Sequence, residues 1–333
     1  MEAHPATLGP YLLDARLASA ATGVVLRAYA SSAQTPVVLK IPTLDLQIEP
    51  TFQERFFETV VGLKGLMHPN VVRLIESGEL LRLVYAAFAW EDGMDLEALL
   101  AAVRARSQPL SLQEVLTIAT RVGRALEAIG RHGARSEGPD ARRVYGVLRP
   151  SKVLVTTDGA IRLIPLSIVA LDPRERAPRT PRQVAWTPPE ADRGAPLTPA
   201  ADVWALAVLV LTLLLGDNPF LRAAPADTAA ARSAPLQLPA DELRFPPALT
   251  VLLRKCLSPD PAVRPARPVD LLASLSFGLT EVGGAVPPAL LRDRVLRLRG
   301  AGDQTVTEAH PATSGIAAAS RQVVGPRQGD KSG

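Results

Sequence analysis

Lysine is scarce in this chain of 333 residues, occurring only at Lys40, Lys64, Lys152, Lys255 and Lys331. A lysine at a motif position is therefore unlikely to be there by chance, and two invite attention. Lys40 closes the β-branched run VVLK, and Lys152 closes YGVLRPSK, a turn-rich stretch between two apolar runs. An ammonium is a compact point charge, suited to neutralising phosphate. The residues for other chemistries are thinner. One cysteine cannot close an internal disulfide, and with four scattered histidines it makes no Cys/His zinc set.

The elements that must position these lysines follow from hydrophobic spacing. From Tyr11 to about Val84 the pattern alternates and predicts strands, interrupted by helical spacing over FQERFFETVVGLKGL (Phe52–Leu66). Beyond Glu91 the period changes. LEALLAAVRAR and LQEVLTIATRVGRALEAIGRHG predict two amphipathic helices, and further helices follow as far as Phe277. A strand-rich part before a helical part predicts an α+β chain of two lobes, joined near Ala89–Met94 with a cleft between them. Residues 1–10 are expected to be flexible. Residues 279–333 decay into Gly, Ala, Pro, Ser and Thr and are expected to be mostly disordered, apart from a short basic helix near 289–299 suited to a partner or an anionic membrane. EAHPAT stands at both ends, at 2–7 and 308–313, with no assigned role.

Composition narrows the function classes. With 47% hydrophobic residues the chain is globular, and its length allows one large domain or two fused lobes. A net charge of +4 with 4% aromatics argues against nucleic acid, which wants clustered basic residues interleaved with aromatics. The most apolar segment, Val203–Leu215, is shorter than the roughly 20 residues of a spanning helix, so no integral membrane segment is expected. No secretory signal is visible at the N-terminus, and a cytoplasmic location is expected.

Several ordered motifs then resemble one family, the Ser/Thr protein kinases in their bacterial eukaryotic-like branch. VVLK is similar to the strand carrying the phosphate-contacting lysine. LMHPNVVRL (Leu66–Leu74) is similar to the segment after the regulatory helix, and LRPSKVLVTTDGAIRLI (Leu148–Ile164) to the catalytic-loop hairpin. PPE (Pro188–Glu190), DVWALAVLVLTLLLGDNPF (Asp202–Phe220) and LSPDPAVRP (Leu257–Pro265) are similar to the helical-lobe framework. The resemblance covers about residues 11–278 and implies a β-rich N-lobe at 11–90 and a helical C-lobe at 91–278.

The resemblance also shows what has been replaced. Phosphoryl transfer needs a carboxylate to orient the acceptor hydroxyl and ligands for the metal ions that bridge the phosphates. The catalytic-base position is Val147, the metal-binding asparagine position is Lys152, and the metal-binding aspartate position is Pro165. The glycine loop reads Ala18-Ser19-Ala20-Ala21-Thr22-Gly23, keeping only Gly23, so the close backbone approach to phosphate that the first two glycines permit is penalised. Asp158 is read as turn chemistry before Gly159, and Asp172 as an exposed charge beside Pro173.

No catalytic residue and no metal site are therefore expected. The resemblance implies a weak nucleotide pocket of Gly23, Lys40 and Lys152 with walls from Leu17, Val25, Val38, Phe88, Leu154 and Ile164. ATP would bind it weakly and without magnesium. Lys40 has two open roles, holding a phosphate or pairing with Glu58, which lies one residue before Thr59 at the family's glutamate position. Lys152 also has two: an ammonium where a magnesium ion would sit, or a surface lysine in a relaxed loop. Glu190 and Arg264 are implied to pair inside the C-lobe, and Asp202 to anchor the catalytic-loop backbone. The expected function is that of a pseudokinase, a regulatory or scaffolding module with a protein partner such as a kinase or other signalling protein. The alternative is a family enzyme with weak or atypical ATP-dependent transferase activity.

Overall fold

The computed structural model describes residues 7–20, 22–30, 35–80, 82–133, 144–167, 180–221, 228–234 and 246–299. The alternating segments pair into an antiparallel sheet of spatial order β1-β2-β3-β4-β6-β5. Its strands are β1 (Thr7–Leu8), β2 (Tyr11–Ala20), β3 (Gly23–Ala30), β4 (Pro36–Pro42), β5 (Leu74–Leu80) and β6 (Leu83–Ala89). The sheet curls until Tyr11 of β2 reaches the edge strand. The hydroxyls of Tyr11 and Tyr85 both donate to Oε1 of Glu76, the second at 2.7 Å, and the two rings meet edge to face at 5.9 Å. Inside the curl lies a small core that includes Leu8, Leu26, Leu39 and Ile41.

Two helices cover the other face, α1 (Leu44–Gln47) and α2 (Pro50–Leu63). The i, i+4, i+8 spacing of Phe52, Phe56 and Val60 puts all three on one buried stripe of α2. Gln47 ties α1 to the sheet, its amide nitrogen donating to the Pro42 carbonyl at 2.9 Å while its oxygen accepts from the Val84 N–H.

The second lobe opens with β7 (Gly93–Asp95) and α3 (Leu96–Ala105), whose first turn is capped by Asp95 accepting from the Ala98 N–H at 2.8 Å. The long α4 (Leu112–Gly133) follows, then the hairpin β8 (Val153–Thr156) and β9 (Ile161–Leu163), and the short helices α5 (Pro181–Val184) and α6 (Pro189–Asp192). The apolar run expected as a core helix is α7 (Pro199–Leu215), buried along nearly its whole length and followed by a parallel stack of Trp204 on Phe220 at 5.5 Å. Around it lie α8 (Thr228–Ser233), α9 (Pro247–Cys256), α10 (Pro268–Glu281) and α11 (Pro288–Arg299). Among the described residues no helix is long and apolar enough to cross a membrane.

The lobes are stitched at the cleft by two backbone bonds and the Asn70 side chain. The Val72 N–H donates to the Leu163 carbonyl at 2.9 Å, the Leu163 N–H to the Asn70 carbonyl at 2.8 Å, and the Asn70 amide to the Ile161 carbonyl at 2.8 Å. The hairpin that carries the catalytic-loop motif is therefore fixed to the N-lobe as well as to its own.

Two boundaries are corrected. Residues 7–10, read as part of a flexible N-terminus, begin the sheet, because Leu8 is 1% exposed and buried in the small core; residues 1–6 lie outside the described residues. Residues 279–299, read as tail with a short basic helix near 289–299, belong to the C-lobe: the helix forms, as α11, but it is docked on the lobe. Leu291, Val295 and Leu298 of α11 join the main core, and the helix packs on β7, β8 and α3. Arg294 clasps Glu114 through hydrogen bonds of 2.6 and 2.9 Å, Arg299 pairs with Asp92 at 2.7 Å, and Arg106 donates to the carbonyls of Arg297 and Leu298. Two of the arginines read as a contact for a membrane or partner, Arg294 and Arg299, are thus spent on this docking. The approach is close enough that a Cβ on Gly159, which sits at φ +83°, would fall 1.9 Å from the Pro288 carbonyl oxygen. The second EAHPAT segment lies outside the described residues, as does all but Thr7 of the first.

Candidate functional site

Strand β4 runs between β3 and β6, with Val38 opposite Phe88 and Lys40 opposite Ala86. Alternation along β4 turns Val38 and Lys40 to one face and Val37, Leu39 and Ile41 to the other, where they fill the small core. Lys40 is 5% exposed, and its ammonium donates to the main-chain carbonyl of Leu166 at 3.1 Å while lying 5.4 Å from the Phe88 ring centroid. Burial holds its pKa well below the usual lysine value, and the Lys152 charge pushes the same way.

The pairing of Lys40 with Glu58 is not what forms. Glu58 lies on the exposed side of α2, away from the buried stripe, and Thr59 is half-buried. The register of the helix, set by its aromatic stripe, turns the carboxylate outward.

Lys152 sits at the end of a 3-10 turn, Pro150–Lys152, directly before β8. Its N–H donates to the Arg149 carbonyl at 2.9 Å, and its carbonyl accepts from the Ile164 N–H at 2.8 Å, so its backbone is pinned to β9. The side chain is half-buried, not a freely solvated loop lysine. Burial, then the neighbouring Arg149 charge, lowers its pKa to about 8.

Around these lysines the three replaced positions are apolar or cationic. Val147 is 7% exposed, and Pro165 and Leu166 are buried. Asp202, in the first turn of α7, accepts from the N–H groups of Tyr145 and Gly146, both at 2.9 Å. Burial raises its pKa to about 6 against the opposing pull of those two donors. The Tyr145 hydroxyl donates to the Ile164 carbonyl at 2.8 Å, joining the loop to the strand before Pro165. Asp158 accepts from the Ala160 N–H at 3.1 Å and from the Thr156 hydroxyl, so it is occupied by its own turn. Asp172 lies outside the described residues.

The expected walls are only partly assembled. Phe88 is 1% exposed, and Val38, Leu154 and Ile164 pack against the main core. Val25 is half-buried. Leu17 is 43% exposed, standing at a register shift in the β2–β3 ladder between Arg16 and Ala18. Gly23 has a structural reason to be glycine, since a Cβ there would fall 2.5 Å from the Ile41 carbonyl oxygen of β4.

Magnesium, which phosphoryl transfer in this fold employs, does not fit this donor set. An ammonium (Lys152) and a proline (Pro165) stand where the two ligands would be needed. Among the described residues no group of three or more His, Cys, Asp or Glu side chains is placed to hold a metal ion. Sequence reasoning missed the Leu166 carbonyl and the part played by Arg149. A main-chain acceptor leaves no trace in residue type, whereas Arg149 stands three residues before Lys152 on a turn and was visible.

Farther into the C-lobe, Arg264 donates to both carboxylate oxygens of Glu190, at 2.7 and 2.8 Å, and its Nε to the Ser258 carbonyl at 2.7 Å. This fork fastens α6 to the turn before α10.

The sequence matches the protein kinase domain family over residues 11–274. It is 24% identical over 187 residues to the probable serine/threonine-protein kinase PknB of Lactococcus lactis, covering 55% of this chain and 28% of that protein. It is 26% identical over 215 residues to the serine/threonine-protein kinase PknH of Mycobacterium bovis, covering 64% of this chain and 34% of that protein. The chain thus spans about a third of the length of these curated relatives. The crystal structure of the Mycobacterium tuberculosis PknI kinase domain is similar in fold, with a TM-score of 0.63 and 23% identity, over 84% of this chain and 99% of that one.

Proposed function

Because the chain belongs to the protein kinase family, in its bacterial Ser/Thr branch, the residues standing at its catalytic positions carry information, and we propose that it is a pseudokinase. One observation carries this reading. The buried loop that should present a base and metal ligands presents Val147, Lys152 and Pro165 instead. Neither valine nor proline can accept a proton or bind a cation, and an ammonium repels one.

The framework around the loop supports a binding role. Asp202 still holds the Tyr145–Gly146 backbone, and the Glu190–Arg264 fork still braces the C-lobe. A fold kept rigid around an unreactive centre suits a regulatory or scaffolding module that presents its surface to a protein partner, such as a kinase or another signalling protein. The same positions argue against the alternative of a weak or atypical transferase.

Incubation with γ-labelled ATP and magnesium, with the protein itself and with generic acceptor proteins, tests the reading. No incorporation above background is expected. Incorporation that disappears in Lys40→Ala would overturn it.

A further inference from the structure

On α4 the residues Thr117, Thr120, Arg121 and Arg124 fall at i, i+3, i+4 and i+7, and so share one face. That face meets the last turn of α10 and the chain at Gly284 and Ala285, and between them lies a pocket of about 240 Å³. Hydrogen bonds fix its walls. The Thr117 hydroxyl donates to the Gln113 carbonyl at 2.7 Å and accepts from the Val286 N–H at 3.1 Å, while the Gln113 amide donates to the Gly284 carbonyl at 2.7 Å. On α10 the Thr280 hydroxyl donates to the Ser276 carbonyl at 3.1 Å, and Leu279 and Ala285 add an apolar side.

What remains unspent in this pocket is donor capacity. The hydroxyls of Ser276 and of Thr120, which is 4% exposed, have no hydrogen-bond partner among the described residues. Neither Arg121 nor Arg124 has a hydrogen bond or an ion pair among them. Glu127, the acid on this stretch of α4, is taken by Arg131 at 3.1 Å, and Glu281 lies exposed outside the pocket lining. With no carboxylate to answer them, the two guanidiniums set a positive field along this side of the helix. His68 registers it: burial, then the Arg124 and Arg131 charges, push its pKa down.

We propose that this pocket binds a phosphoryl group, free or carried by a small metabolite. Arg121 and Arg124 grip the oxyanion from α4, since a guanidinium is all donors in a fork that matches phosphate. Ser276 adds a hydroxyl from α10, and Thr120 gains a partner for a hydroxyl that is otherwise orphaned. The pocket is larger than one phosphoryl group fills, and its apolar side at Leu279 and Ala285 suits a short carbon chain. None of its residues lines the cleft between the lobes, so occupancy here is independent of phosphoryl transfer there.

Titration calorimetry of the full chain with inorganic phosphate and with glycerol 3-phosphate, at constant ionic strength, tests this. Binding of both is expected. Arg121→Gln and Arg124→Gln should each lose about tenfold in affinity, the worth of one charged contact, and the double variant should lose binding altogether. Arg121→Lys and Arg124→Lys should keep part of it. Both side chains reach solvent, so folding should persist, and melting temperatures without ligand identify any variant in which it does not; the lysine variants then carry the comparison. Tighter binding of glycerol 3-phosphate points to a phosphorylated metabolite, and equal binding to free phosphate. No binding of either, or binding indifferent to the loss of both arginines, would overturn the inference. So would binding lost in Lys40→Ala, which would place the phosphate in the cleft.

Discussion

Arg264 meets Glu190 fork to fork, with both guanidinium NH2 groups on the two carboxylate oxygens and with side chains 0% and 4% exposed. Such a pair is costly to form and costlier to halve, because removing one partner strands a charge without solvent. Arg264→Ala is expected to lower stability by about 3–5 kcal/mol, read from urea unfolding at neutral pH. Arg264→Lys should recover only part, since an ammonium cannot span both oxygens. A midpoint unchanged in Arg264→Ala would mean that the fork contributes nothing to holding the C-lobe together.

The second prediction concerns pH. Lys152 has a folded pKa of about 8, below the ordinary value of 10.5. Between those limits the unfolded chain holds the proton and the folded chain has released it, so this group makes stability rise with pH. Below pH 8 both states are charged and the repulsion is fully felt. Lys152→Ala should therefore be more stable than the parent chain near pH 7, by roughly 1–3 kcal/mol. The two should converge as pH approaches 10. Parallel melting curves across that range, or a parent chain favoured at pH 7, would show that the ammonium is better solvated than its surroundings indicate.

The third prediction concerns α11. Leu291, Val295 and Leu298 are at most 4% exposed, and each buried aliphatic contributes about 1.5–3 kcal/mol. Val295→Asp should therefore destabilise the whole domain, not only the helix. Gly159→Ala offers a gentler probe. Its methyl group would strike the Pro288 carbonyl and its positive φ would be strained, so the helix should detach and become open to proteolysis near Arg292 and Arg297. Equal cleavage of the parent and Gly159→Ala chains would mean that the docking is looser than this contact implies.

The parts of the fold written in local periodicity were legible in the sequence. The apolar run of α7, the stripe of α2 and the change of period near Glu91 each announce themselves within a dozen residues. Spaced motifs added the hairpin of β8 and β9 and placed Lys40 and Lys152 in one cleft. Other features have no local signature. β1 is two residues long, too short to alternate. The docking face of α11 is three aliphatics among arginines, and its ionic partner Glu114 lies 180 residues earlier. Nothing near either residue says that they meet. The Lys40 acceptor is a carbonyl that any residue at position 166 would supply, and the register shift that leaves Leu17 exposed is invisible in composition.

The same separation has a consequence for the order in which the molecule is made. Glu114 leaves the ribosome 180 residues ahead of Arg294, which at roughly 5–20 residues per second is a delay of about ten to forty seconds. β7 and α3 are already synthesised when that interval begins and β8 follows early in it, so for most of it the groove that α11 will fill stands open as an apolar strip on a growing chain. Helix α11 thus acts as a closing step whose timing is set by translation. A ribosome that pauses between α10 and α11 would leave a nearly finished domain sticky, in need of a chaperone until α11 arrives.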